Sequence, residues 1–453
     1  MVIRYRKSSF NNLTKIRGFK YPQGLEIAVR KFLIRLFLLL GPASVCASPV
    51  FDNFFTGDVL RFDYLLSGNY NTTTIFPGEI RKERIWSGSQ NNLIDNLHLG
   101  TYRFQVFDQE SGALIFSKGF SPIFQEWQTT REAKLTGKAF YQVVRFPFPK
   151  KSVLLKIEKK DFEGHFSGIY SGTIDPENYF IINENSRSIP VNRIHYSGIP
   201  SQKIDIAILA EGYTSKEMVK FEKDARRLTA ALFKVEPFSK MKEFFNVYAL
   251  KTPSLESGTD IPGEHIYRNT LYNSLFYTFD IPRYLTTSDM KTIHDMAAAV
   301  PYDQLIVLVN SSRYGGGGFY NYVTVCTADN KLSPNVFVHE FGHGFGGLGD
   351  EYYTSEVAYE NYYNLKVEPW EPNLTTLVDF GSKWKGMVAE STPVPTPRTG
   401  EYVSKVGAFE GGGYTSKGIF SPMEDCRMKS NESPSFCPVC QMAIARSIFE
   451  NTK

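Results

Sequence analysis

Val336-Phe-Val-His339-Glu340-Phe-Gly-His343-Gly-Phe-Gly346-Gly347-Leu-Gly-Asp350-Glu351-Tyr352 decides how this chain is read. His339 and His343 are four apart, so on a helix they lie one above the other on one face. Two imidazoles held that way can share one metal ion, and Glu340 can reach a water beside it. This H-E-x-x-H pattern supplies two zinc ligands and a carboxylate base. The flanks agree with a helix. Ser333 is a good cap, and Pro334 suits the first turn. Val338, Phe341 and Phe345 bury one face, and Gly346-Gly347 favours a break. Catalytic zinc usually takes three protein ligands plus water. After the break the chain can turn back and offer Asp350 or Glu351 as the third.

The 453 residues suggest more than one domain, and the composition is that of a folded globular chain, rich in aromatics at 15%. Net charge is +4, but residues 1–48 hold nine Lys/Arg against one Glu, so the remainder carries −4. A mildly acidic body argues against nucleic acid as the main partner. The basic start reads as a secretory signal. Arg30-Lys31 precedes a short apolar run that Arg35 interrupts, and Val45-Cys-Ala47 offers a cleavage site after Ala47. Lipidation at Cys46 is the less favoured alternative. The run is too short for a membrane span, and no later stretch is longer. The expected location is therefore exported: secreted, periplasmic or cell-surface.

Of five cysteines, Cys326, Cys426, Cys437 and Cys440 remain after such cleavage. An even number in an exported protein permits disulfides of undetermined connectivity. Cys437-Pro-Val-Cys440 lacks the further ligands of a zinc site in its neighbourhood. It reads as structural, tied to Cys426 or packed near it.

Residues 48–170 read as a β-sandwich accessory domain. Short alternating strands around 59–64, 101–107, 113–117, 142–146 and 152–158 are separated by turn signals. No cluster of titratable groups marks this region as catalytic. Residues 171–200, rich in Gly, Asn, Pro and Ser, read as a linker. Residues 201–453 then begin as α/β. Strands are expected at 203–210, 245–250 and 304–310, with helices from 214 to about 234 and from 288 to 299. Gly315-Gly-Gly-Gly318 lacks the ending of a phosphate loop and reads as a flexible turn. Asn321-Tyr-Val-Thr-Val-Cys326 follows as a strand placed to pair with an extended substrate. Pro422-Met423-Glu-Asp-Cys426-Arg427-Met428 offers a methionine to support the ligating histidines, with Met428 preferred to Met423. A last helix runs from about 438 to 450.

The C-terminal part, about 195 to 450, resembles the IgA-peptidase-like family of bacterial zinc metallopeptidases. The resemblance rests on Ala210-Glu-Gly-Tyr-Thr214, on His339 through Tyr352, and on Cys426-Arg-Met428 with Phe436-Cys-Pro-Val-Cys440. The N-terminal region resembles the domain that precedes the peptidase in some members. The resemblance implies an exported zinc endopeptidase with a metzincin-like catalytic fold and one catalytic zinc ion. His339 and His343 match zinc ligands, Glu340 matches the catalytic carboxylate, and Asp350 is favoured over Glu351 as third ligand. Position 349, where a metzincin carries its third His, is Gly. Protein or peptide substrates follow, host glycoproteins among them. A nearby phenol such as Tyr352 or Tyr353 is a candidate to assist, though spacing alone does not place it. Two other classes fit the same residues: a secreted binding protein that has lost catalysis, and a zinc hydrolase of an acyl bond on a glycan.

Overall fold

A computed structural model describes residues 49–184, 188–353 and 362–452. The expected signal segment, with Cys46, lies outside the described residues. None of the described helices is long and apolar enough to cross a membrane. The architecture is mixed α and β with several sheets.

A six-stranded sheet carries the C-terminal part. Its order is Gly316–Phe319, Val323–Thr327, Gln304–Val309, Ile204–Glu211, Phe245–Leu250 and Val191–His195. The four inner strands run parallel, and each outer strand is antiparallel to its neighbour. Ile204–Glu211 and Gln304–Val309 are buried along their whole length, as strands covered on both faces must be. Alternation decides which cover each residue meets. Ile204, Ile206 and Ile208 pack with the helices Met218–Leu232, Ser333–Gly346 and Pro438–Thr452. Ala207 and Leu209 point the other way, into a core continuous with the N-terminal sheets. The helix Met218–Leu232 is preceded by a turn that Thr214 and Glu217 close as a reciprocal capping box.

The N-terminal region forms two four-stranded sheets. One is ordered Lys138–Pro149, Phe55–Gly68, Thr73–Glu83, Ile182–Asn183. The other is ordered Leu114–Phe120, Tyr102–Asp108, Val153–Lys160, Phe166–Ile174. Phe62 meets Tyr170 across them at 5.4 Å between ring centroids, and Phe104 meets Phe146 at 6.3 Å. This explains the aromatic composition: ring pairs fill the space between facing sheets. Thr73–Glu83 and Phe166–Ile174 were not expected as strands. Pro77, Gly78 and a run of Ser and Gly hide their alternation. The segment 171–200, expected as a linker, instead holds the edge strand Val191–His195, which pairs with Phe245–Leu250.

Arg61 lies at the contact between these parts with no exposed surface. Its guanidinium grips Asp63 through two bonds of 2.7 Å and reaches Asp295, on the helix Met290–Ala297, at 2.7 Å. Residues 48–453 form one compact unit.

Asp205 is a second buried charge, on the strand Ile204–Glu211. Burial first, and then the nearby Asp303 carboxylate, push its carboxyl up to about 8. The folded chain therefore holds a proton there that the unfolded chain releases near pH 4. Stability from this group is present at low pH and is lost as pH rises toward 8. Asp205→Asn mimics the protonated form. Its thermal unfolding midpoint should exceed the parent's most at pH 8 and by less at pH 5, and the difference should vanish near pH 4.

Candidate metal centre and active-site cleft

The ligand helix spans Ser333–Gly346. Leu332, not Ser333, occupies the capping position; Ser333 is already helical, with Pro334 in the first turn. Val338, Phe341 and Phe345 are buried, as the spacing predicts. Phe341 and Phe345 stack at 5.3 Å, and Phe238 packs against both. Gly347 ends the helix at φ +63, a left-handed turn that glycine adopts without strain. The chain then reverses and carries Asp350 back toward the helix.

His339 and His343 present their Nε2 atoms to each other at 3.1 Å. Asp350 Oδ1 lies 3.1 Å from the first and 3.3 Å from the second. Backbone carbonyls fix both rings from behind. His339 Nδ1 donates to the Arg427 carbonyl at 2.9 Å, and His343 Nδ1 donates to the Leu348 carbonyl at 2.5 Å. A neutral imidazole that spends its proton at Nδ1 leaves a lone pair at Nε2. Two such lone pairs and a carboxylate oxygen therefore face one point. Asp350 Oδ1 is buried and accepts no hydrogen bond. Three acceptors so placed repel unless a cation lies among them. Four-coordinate zinc with bonds of about 2.0–2.1 Å spaces its ligand atoms about 3.3 Å apart, so the donor set fits zinc.

The electrostatics point the same way. Burial opposes charge on His343, but the adjacent Asp350 overcomes it and pushes the imidazole up to about 9; the point between them draws positive charge, and a metal ion there would take the place of the Nε2 proton and leave the lone pair for itself. Burial also opposes charge on Asp350, yet the two histidines hold it well below the usual carboxylate range. This carboxylate stays ionised and calls for positive charge beside it.

Glu351 goes elsewhere. Its carboxylate accepts from Asn373 Nδ2 at 3.0 Å and lies among Cys426, Cys437 and Cys440, away from the histidines. Asn373 also clamps Gly349, accepting from its amide at 2.7 Å and donating to its carbonyl at 2.8 Å. Tyr414, on the turn between Phe409–Gly412 and Thr415–Ser421, donates to Asp350 Oδ2. These contacts decide which of the two adjacent acids faces the histidines. A side chain at position 349 has no room either: a Cβ there would stand 2.5 Å from Leu374.

Met428 is fully buried beneath the ligand helix. A Cβ on Gly342 would fall 2.9 Å from its sulfur. Met423 lies only partly buried, against the same core.

Glu340 lies half-buried in an open cleft that it lines together with His339, His343 and Asp350. Burial raises its carboxyl above the ordinary value, and the two histidines oppose that rise. The edge strand Gly316–Phe319 lines the same cleft and runs directly beside Glu340. Here the sequence reading needs correction. The glycine run is the sheet's edge strand, and the strand Val323–Thr327 lies inside, between it and Gln304–Val309. Glycine is required because strand and helix nearly touch: a Cβ on Gly318 would stand 2.3 Å from the Glu340 carbonyl oxygen. No side-chain alternation exists in such a run to reveal a strand.

Arg283, Tyr314 and Tyr352 also line the cleft. Arg283 is hydrogen-bonded to both tyrosines, and Asn431 donates to the Tyr314 hydroxyl at 2.8 Å. Of the two tyrosines expected to assist, Tyr352 is in the cleft, whereas Tyr353 packs over Gly411 and beneath Arg398. Arg283, Tyr314 and Tyr414 stand on loops without periodicity, so nothing in the sequence marked them. The N-terminal region reaches the cleft as well, through Gln125 and Glu126.

A profile of the IgA peptidase M64 family matches residues 192–403 and 398–448, more than half of the chain, and the family's N-terminal region matches residues 50–171. The chain belongs to the IgA peptidase M64 family. A comparison with curated proteins finds no match. The M64 peptidase match contains the whole ligand helix, the Asp350 loop, the edge strand and Met428. It also contains Glu211 of Ala210-Glu-Gly-Tyr-Thr214. That side chain is buried, accepting from the amides of Tyr272 and Ser274 at 2.9 and 2.8 Å and from Thr270 at 2.8 Å. Glu211 thus pins a long loop and does not enter the chemistry.

Proposed function

We propose that this M64 peptidase is an exported, zinc-dependent endopeptidase with a metzincin-like catalytic arrangement, acting on extracellular proteins, host glycoproteins among them. His339, His343 and Asp350 hold the ion, Glu340 is the general base, and Met428 supports the ligand helix from below. The observation that carries this reading is the convergence of two Nε2 lone pairs and an ionised carboxylate on one point. A zinc ion bound there lowers the pKa of water to about 7 and polarises a carbonyl.

Glu340 takes the proton from the attacking water and later delivers it to the leaving amine. Arg283 and Tyr314, which line the same cleft, donate to the oxygen that gains negative charge. Gly316 is already bridged on its outer side by the segment at Tyr284 and Leu285; beyond it, Gly317-Gly318-Phe319 suits an extended peptide, because its glycines keep side chains out of the way and strand addition uses the substrate's own backbone groups.

The experiment pairs metal analysis with cleavage. Asp350→Ala should lose one equivalent of zinc relative to the parent and all cleavage of casein, while Glu351 stays too far away to take its place. Casein cleavage at the parent's rate by this variant contradicts the ligand assignment. Hydrolysis of acetylated sugars but not of peptides contradicts the peptidase reading.

A further inference from the structure

We propose that Glu351, Cys426, Cys437 and Cys440 form a second metal site, closed and structural, that takes zinc or another thiophilic divalent cation. The four side chains come from three segments and offer ligand atoms within 4.8 Å of one another. All are buried, Cys437 being the most exposed at 3%, and the three cysteines are free thiols.

The spacing suits a tetrahedron. Zinc–sulfur bonds of about 2.3 Å place two sulfurs about 3.8 Å apart. Cys426 Sγ and Cys440 Sγ are 3.8 Å apart. A sulfur and a carboxylate oxygen on the same ion stand about 3.5 Å apart. Glu351 Oε1 lies 3.0 Å from Cys440 Sγ and 4.0 Å from Cys437 Sγ, on either side of that value.

Two further observations point to an ion. Glu351 Oε2 is buried with no hydrogen-bond partner, a costly position for a carboxylate. Backbone amides also aim at the sulfurs: Cys437 N–H donates to Cys426 Sγ at 3.3 Å, and Cys440 N–H donates to Cys437 Sγ. Amides so directed favour thiolates, the form that binds metal. With four protein ligands and no solvent-facing position, the site has the closed character of structural zinc rather than the open position of a catalytic one.

Its place in the fold gives it a role. Glu351 adjoins Asp350. Cys426 adjoins Arg427, whose carbonyl orients His339, and the Glu351 amide donates to the Met428 carbonyl at 2.9 Å. An ion here ties the start of the helix Pro438–Thr452 to both segments that shape the catalytic centre.

The test uses the full chain purified without chelator. Zinc analysis should give two equivalents per chain, and intact mass should show no cross-linked cysteines. Cobalt(II) in place of zinc should give the near-ultraviolet thiolate charge-transfer band. His339→Ala should retain one equivalent and the whole band, which separates this site from the peptidase centre. Cys437→Ser/Cys440→Ser should abolish the band, and if that variant fails to fold, the parent's metal count, mass and band still decide. One zinc per chain with no thiolate band, or a Cys426–Cys440 cross-link seen as a loss of two hydrogens, overturns the proposal.

Discussion

Glu340→Gln is expected to bind its metal normally and to cleave peptides about 10²–10⁴-fold more slowly, the usual contribution of a positioned acid–base group. The amide keeps the shape of the side chain beneath the edge strand, so fold and ligand positions survive. It cannot accept the water's proton. Because His339, His343 and Asp350 are untouched, zinc content should equal that of the parent. Measuring kcat/KM on a peptide together with bound zinc separates the base from the ligands. Cleavage at the parent's rate removes Glu340 from the mechanism. Loss of zinc makes it a ligand instead.

Arg61→Ala should cost about 3–5 kcal/mol of folding stability, the range for breaking a buried ion pair from one side. The guanidinium is fully buried, and its removal strips the cation from Asp63, loosens the hold on Glu83, 3.4 Å away, and leaves Asp295 to Lys291, which it meets at 2.9 Å. Arg145 still holds Glu83 at 3.0 Å, and no cation replaces Arg61 at Asp63. Arg61→Lys should rescue little, because one ammonium cannot reproduce the fork that binds Asp63 and Asp295 together. Chemical unfolding followed by fluorescence measures the change. A loss below about 1 kcal/mol shows that the acids find other partners and that this network does not hold the N-terminal sheets to the helix Met290–Ala297.

Arg61 also shows what sequence reading could not reach. It sits at an alternating position of a strand that reads half-polar, so periodicity assigns it to solvent, whereas the surface it faces belongs to a helix more than two hundred residues away. The ligand helix was legible because its signal is local: two histidines and a glutamate within one turn, an apolar face, and a glycine stop. The next step was half legible. Asp350 and Glu351 both stood at ligand distance, and the choice between them rests on Asn373 and Tyr414, which come from distant segments. Gly316–Phe319 was misread because a strand without side chains has no alternation to read. The cluster at Cys437-Pro-Val-Cys440 looked incomplete because its other members, Glu351 and Cys426, arrive through the fold.

The most direct test of the central claim is an anomalous-difference map recorded at the zinc absorption edge from crystals of the full chain. A peak bonded to His339 Nε2, His343 Nε2 and Asp350 Oδ1, with Glu340 beside its open side, is the predicted result. A map with no peak between the two imidazoles, or one whose peak draws its third ligand from a residue other than Asp350, contradicts the account.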